Sequence, residues 1–141
     1  MIDRYSTKEM AQIWSDQNKF NNWKIVELAV VKVMSNKGII PEESCKVIHE
    51  KADFDVDRIL EIEQTTRHDV IAFLTNMAEY IGPDSRFVHM GMTSSDLLDT
   101  SLALQCKEAG EIILKKLHKF NDVLINNASK YNINFRKARI D

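Results

Sequence analysis

Four short stretches of this chain carry side chains suited to chemistry. Arg67-His68-Asp69 sets an imidazole between a cation and a carboxylate. Histidine titrates nearer neutrality than any other side chain, so it can both give and take a proton, and charged neighbours can set its charge and tautomer. Adjacent residues project in different directions, however, and a helix-capping or surface role is the simpler account of these three taken alone. His89 stands a few residues before Thr93-Ser94-Ser95-Asp96. Hydroxyls and free N–H groups at a helix amino terminus make a ready anion site, to which a nearby histidine adds a donor or a cation; capping alone explains the same residues. Arg4-Tyr5 offers a guanidinium for a phosphate and a ring for a base, or simply a surface charge near a chain end.

Elsewhere the chemistry thins out. His49 and His118 lie in charged helical surroundings and read as surface residues. Cys45 and Cys106 have neither CxxC nor metal-type spacing and read as small, partly buried, reduced side chains. With no HExxH, Gly-rich phosphate loop or Cys/His cluster, neither a metal site nor a nucleotide P-loop is expected.

The elements that must position these residues are all helices. Ser6 followed by Glu9 has the pattern of a capping box before a short helix through Met10, Ile13 and Trp14. Phe20, Trp23, Val26, Val30 and Val33 then mark a buried face, widened by Ala29 and Met34, with Lys24, Glu27 and Lys32 on polar positions. Lys37-Gly38 supplies a stop, and Pro41-Glu42-Glu43 opens the next helix with Pro in its first position. One helix from about Asp55 carries Val56, Ile59, Leu60 and Ile62 before it reaches Thr65-Thr66-Arg67-His68, and another runs from Asp69 to Tyr80, closed by Gly82-Pro83. Thr93 through Asp96 then starts the longest helix. Its apolar stripe, Leu98, Leu102, Ala109, Ile113, Leu117, Phe120 and Leu124, with Ile112 and Val123, suits a helix bundle.

The composition agrees. With only 4 Gly and 2 Pro in 141 residues, long helices are favoured over a many-stranded sheet. A chain that is 44% hydrophobic and 28% charged builds a globular core rather than staying disordered. The net charge of −2 gives no electrostatic case for nucleic acid or an anionic membrane. No apolar run approaches the ~20 residues of a membrane span, and the residues after Met1 are polar, so a cytoplasmic protein is the expectation.

Longer strings add a resemblance. Met1 through Ser6 with Ile13-Trp14-Ser15-Asp16, Glu63 through Val70, and Phe87 through Asp96 with Asp99-Thr100 resemble, in order and spacing, the opening blocks of bacterial adenylosuccinate lyases. That family, within the fumarase and aspartase superfamily, cleaves adenylosuccinate to AMP and fumarate, and likewise the succinylated carboxamide ribotide of purine synthesis. The resemblance implies a β-elimination without metal or organic cofactor: a base removes the proton next to a carboxylate and an acid protonates the departing nitrogen. It implies that His68 assists acid chemistry or holds a carboxylate, within a segment that includes Arg67 and Asp69. It assigns Arg4 and Tyr5 to the nucleotide and its phosphate, His89 to the phosphate side, and Thr93 and Ser94 to the succinyl portion. It also implies a homotetramer whose sites draw on several chains.

The expected architecture is therefore all-α: an amino-terminal helical domain over residues 1–93, the first long helix of an incomplete bundle over 94–130, and a divergent tail over 131–141. In the tail, where a Gly-Arg-(Ser or Thr)-His-Gly stretch with a second catalytic histidine is expected, the chain has Arg136-Lys137-Ala138-Arg139-Ile140-Asp141. The family's serine base, carried on a later flexible loop, has no counterpart in these residues. The expectation is a truncated lyase with part of a binding site and no unaided turnover; the alternative is a non-catalytic helical module that binds a nucleotide or another subunit.

Overall fold

A computed structural model describes residues 3–131, which form six α-helices and no strand. A 3-10 turn at Asp3–Tyr5 leads into α1 (Lys8–Ile13) and α2 (Asp16–Asn36). Then come α3 (Glu42–Lys51), α4 (Val56–Thr66), α5 (Asp69–Ile81), a 3-10 turn at Pro83–Phe87 and α6 (Ser94–Tyr131). The all-helical class is as the sequence implies. The tail from Asn132 onward lies outside the described residues.

Local signals set most boundaries. Asp55 caps α4 by accepting from the Arg58 N–H at 2.7 Å. Gly38, at φ 72°, ends α2; its N–H reaches the Ser35 carbonyl and that of Ile39 the Met34 carbonyl, so two end carbonyls are satisfied. Two expected starts move by one residue. Thr7, not Ser6, caps α1, accepting from the Met10 N–H, because Thr7 is the residue in the extended conformation a cap needs. Pro41 is the cap of α3 rather than its first residue, its carbonyl receiving the Cys45 N–H. Trp14 falls just past α1, as its C-cap.

The core lies where α2, α3, α4 and α5 meet. Phe20, Trp23 and Phe73 are buried with ring centroids 5.1–5.8 Å apart, Trp23 edge-on to both phenyl rings and Phe20 stacked on Phe73. Ile48, Ile59, Val70 and Met77 complete it, each such side chain contributing roughly 1.5–3 kcal/mol by leaving water. On the rim Arg58 joins Glu61 and Glu79 at 2.7 Å each, tying α4 to α5. The hydrogen bond to Glu79 is the main reason the guanidinium holds its proton more tightly than usual.

Two faces differ from the sequence reading. On α2 the expected Phe20, Trp23 and Val26 are buried and Val30 is half-buried, but Glu27 and Val31 also go inward with Met34 in part, while Ala29 and Val33 point to solvent. Steps of three, four, four and three from Phe20 through Trp23, Glu27 and Val31 to Met34 keep one row on one side of a straight helix, and a repeat of three carried on to Ala29 drifts off it. On α6 the residues buried against the body are Leu97, Ser101, Gln105 and Ala109, at steps of four. Of the expected apolar stripe Ala109 is thus buried and Leu98 is half-buried, while Leu102, Ile113, Leu117, Phe120 and Leu124 stay outside, each 50–60% exposed. Gln105 and Asn18 both donate to the Ile13 carbonyl, at 2.8 and 3.0 Å, and so lock α6 onto the corner between α1 and α2. Cys45 is buried but Cys106, expected to be partly buried, is exposed on α6.

Candidate functional site

The turn between α4 and α5 carries the first histidine. Arg67 ends α4 at φ 53°, its N–H donating to the Glu63 carbonyl at 2.9 Å. A left-handed backbone costs a non-glycine residue about 1–2 kcal/mol, and the geometry lets the chain reverse directly into α5. His68 is the cap of α5: its Nδ1 accepts from the Ile71 N–H at a long 3.4 Å. Nδ1 is therefore an acceptor, and in the neutral ring the proton sits on Nε2. Asp69 lies 3.6 Å from that nitrogen, beyond hydrogen-bonding range, and its Oδ1 instead accepts from the Val70 N–H at 2.7 Å. His68 and Asp69 remain about half exposed.

The second histidine is held differently. His89 follows the Pro83–Phe87 turn at φ 62°; it and Arg67 are the non-glycine residues with positive φ among the described residues. Both belong to segments singled out from the sequence, and strained backbone of this kind persists only where surrounding contacts enforce it. At His89 the enforcing contact is Glu27, in the middle of α2 and 62 residues away. Its Oε2 accepts from the His89 N–H at 2.9 Å, and its Oε1 lies 2.6 Å from Nδ1. The Glu27 side chain is 0% exposed and that of His89 18%. A carboxylate taken wholly out of water is tolerable only when charged or hydrogen-bonded partners replace its hydration, and here one residue supplies both bonds. Sequence reading put Glu27 on the polar side. The available signal was its place, four residues after Trp23 and four before Val31, inside the buried row.

From His89 the chain turns through Gly91, at φ 75°, into α6. Thr93 precedes the helix, and Ser94 is its first residue. The Thr93 N–H donates to Asp96 Oδ2 at 2.8 Å while the Asp96 N–H reaches the Thr93 carbonyl at 3.1 Å. The carboxylate half of the expected capping box is thus formed, with Asp96 taking the Thr93 N–H. Arg4 and Tyr5 occupy the first 3-10 turn, the guanidinium 4.8 Å above the exposed phenol ring.

The structure thus gathers His89, Thr93 and Ser94 in one turn entering α6, and Arg67, His68 and Asp69 in another. Among the described residues no hydrogen bond or ion pair joins these turns to each other or to Arg4 and Tyr5. No group of three or more His, Cys, Asp or Glu is placed to hold a metal ion among the described residues. An open groove of about 800 Å³ lies elsewhere, between α1 and α6, bordered by Glu9, Gln12, Glu108, Lys115, Lys116 and Lys119. The Lys116–Glu9 pair spans it at 3.3 Å. It contains none of the candidate residues. No described helix is long and apolar enough to cross a membrane.

A family model described as lyase matches residues 2–133. The chain is 44% identical over 131 residues to the adenylosuccinate lyase of Bacillus subtilis, covering 93% of this chain and 30% of that protein. It is 50% identical over 119 residues to that of Synechocystis, covering 84% and 28%. The chain thus spans about 30% of the length of the curated relatives it matches. Among solved structures, a fumarate lyase from Mesorhizobium superposes with a TM-score of 0.82 at 19% identity, over 89% of this chain and 30% of that one. A 3-carboxy-cis,cis-muconate lactonizing enzyme from Pseudomonas putida gives 0.81 at 26%, over 92% and 32%. With its helical fold, its two histidine turns and a match over nearly its whole length, the chain belongs to the lyase family, and within it is similar to the adenylosuccinate lyases.

Proposed function

We propose that this chain carries the nucleotide-binding part of an adenylosuccinate lyase site, serving the β-elimination that releases fumarate from adenylosuccinate or from the succinylated carboxamide ribotide. The observation that carries the reading is the turn in which His89, fastened to a buried carboxylate, leads directly to Thr93 and Ser94 at the start of α6. The similarity to adenylosuccinate lyases supplies the substrate. In this reading His89 meets the phosphate and the Thr93 and Ser94 hydroxyls meet the succinyl portion. Arg4 and Tyr5 take the phosphate and base. His68, flanked by Arg67 and Asp69, assists protonation of the departing nitrogen. Fixed donors of this kind stabilise the charge that builds on the substrate carboxylate as its neighbouring proton leaves. The whole enzyme acts in the cytoplasm as a homo-oligomer. The 141 residues measured by themselves bind without turnover, because they offer no residue in the role of the family's serine base and no second catalytic histidine.

Two assays test this. Titration of the chain with AMP is expected to saturate, and to weaken in His89→Ala and Arg4→Ala; absence of saturable binding overturns the reading. Incubation with adenylosuccinate is expected to release no fumarate, and steady turnover contradicts the assignment of the base to other residues.

A second reading, a subunit-interaction module, is favoured by the exposed row on α6, since an apolar stripe of that length favours association. Sedimentation distinguishes it: a monomer at all concentrations removes this reading.

A further inference from the structure

Glu27 has no part in the assignments above, yet its geometry is that of a group acting through another. It sits at a position whose neighbours in the buried row, Trp23 and Val31, are apolar, and it is itself completely buried. Among the described residues its carboxylate bonds only to His89, through both oxygens. An apolar side chain of similar volume would fill the space without the desolvation cost of a carboxylate. What the carboxylate supplies is orientation. It accepts from the backbone N–H that φ 62° turns inward. It also faces Nδ1 at 2.6 Å, where an ionised carboxylate, which can only accept, would leave the proton between them on Nδ1. The remaining ring nitrogen, Nε2, has no protein partner among the described residues, and the side chain keeps an accessible edge.

We propose that Glu27 is a positioning residue: it fixes the rotation and tautomer of His89 so that Nδ1–H points into the protein and Nε2 is presented to the substrate. The inference rests on the reading of His89 as a substrate contact. The same logic holds a catalytic imidazole wherever a buried carboxylate takes its inner N–H.

Long-range proton–nitrogen correlation spectra of the labelled chain test the proposal. Wild type is expected to show a proton on His89 Nδ1, whether or not Nε2 carries a second one; a proton on Nε2 alone overturns it. In Glu27→Gln the single carbonyl is taken by the His89 N–H, so the amide NH2 faces Nδ1 and the neutral ring moves its proton to Nε2. An unchanged tautomer with Trp23 and Phe73 resonances intact overturns the proposal, and where the variant does not fold, the wild-type tautomer decides alone. With AMP as the probe, Glu27→Gln is expected to weaken binding roughly tenfold, the scale on which groups that orient a ligand-binding histidine act. Combining it with His89→Ala should weaken binding no further than His89→Ala does alone, and additive losses contradict action through His89. If His89→Ala binds AMP as wild type does, the substrate-contact reading fails and takes the binding role of Glu27 with it. The tautomer result stands or falls separately.

Discussion

The two histidine turns solve the same problem by opposite means. His68 sits at an exposed junction and is held by its own neighbours: it caps α5 three residues on and lies beside Asp69. His89 sits at a half-buried junction and is held from 62 residues away by a carboxylate that has no other partner among the described residues. The first arrangement leaves the ring free to rotate out at little cost, which suits the proton-moving role proposed for it. The second fixes backbone, ring and tautomer at once, which suits the phosphate contact proposed for it. Both turns include a left-handed residue, but only at His89 do side-chain bonds from another helix enforce it.

That contrast can be broken by substitution. The largest difference is expected between the two alanine variants. His89→Ala strands a fully buried carboxylate, at a cost of about 3–5 kcal/mol. His68→Ala removes one long capping bond, at about 0.5–1 kcal/mol. Urea denaturation followed by circular dichroism reads both, and equal losses would show that Glu27 does not depend on His89. An intermediate effect is expected from Gly91→Ala. The new methyl would meet only Met34 Cε at an ordinary 3.5 Å, so space is available. The backbone at φ 75° disfavours any side chain, and a loss of about 1 kcal/mol is expected. No loss would mean that the turn after His89 relaxes freely.

The smallest effect concerns a charged residue one turn earlier on the same helix as Glu27. Lys24 bonds Asp53 at 3.2 Å, with the aspartate largely in solvent. That bond is the first cause holding the Asp53 carboxyl below its ordinary value of 3.8, and a bond from the Phe54 backbone is the second. A depressed carboxyl stabilises the fold above the ordinary value, and the contribution is lost as the pH falls through the folded one. Its exposure limits the effect to about 0.3 kcal/mol. Asp53→Asn should therefore lower the melting temperature slightly at neutral pH, flatten the acid limb of its pH profile and converge with wild type in acid; an unaltered acid limb counts against the assigned cause.

What was legible in the sequence was local. The helix start near Asp55, the glycine stop at Gly38 and the break at Gly82-Pro83 depend on residues within a few positions of one another, and the structure places them there. The turn entering α6 was legible for the same reason. Glu27 was not, because a charged residue inside an apolar row is ambiguous until its partner is known, and His89 lies far along the chain. Apart from Ala109, the buried side of α6 was missed for a related reason. Its contact row of Leu97, Ser101, Gln105 and Ala109 is mostly small or polar, chosen to fit close against α1 and α2, while the more hydrophobic row points outward. Hydrophobicity identified a face to be covered, but not the face covered within this chain.

The most direct test of the proposed site is a crystal structure of the chain with AMP. The account predicts the phosphate within hydrogen-bonding distance of His89 Nε2, beside the amino terminus of α6, with the Glu27–His89 pair intact. AMP seated instead among Lys115, Lys116 and Lys119 in the groove between α1 and α6, with the His89 turn empty, would contradict it.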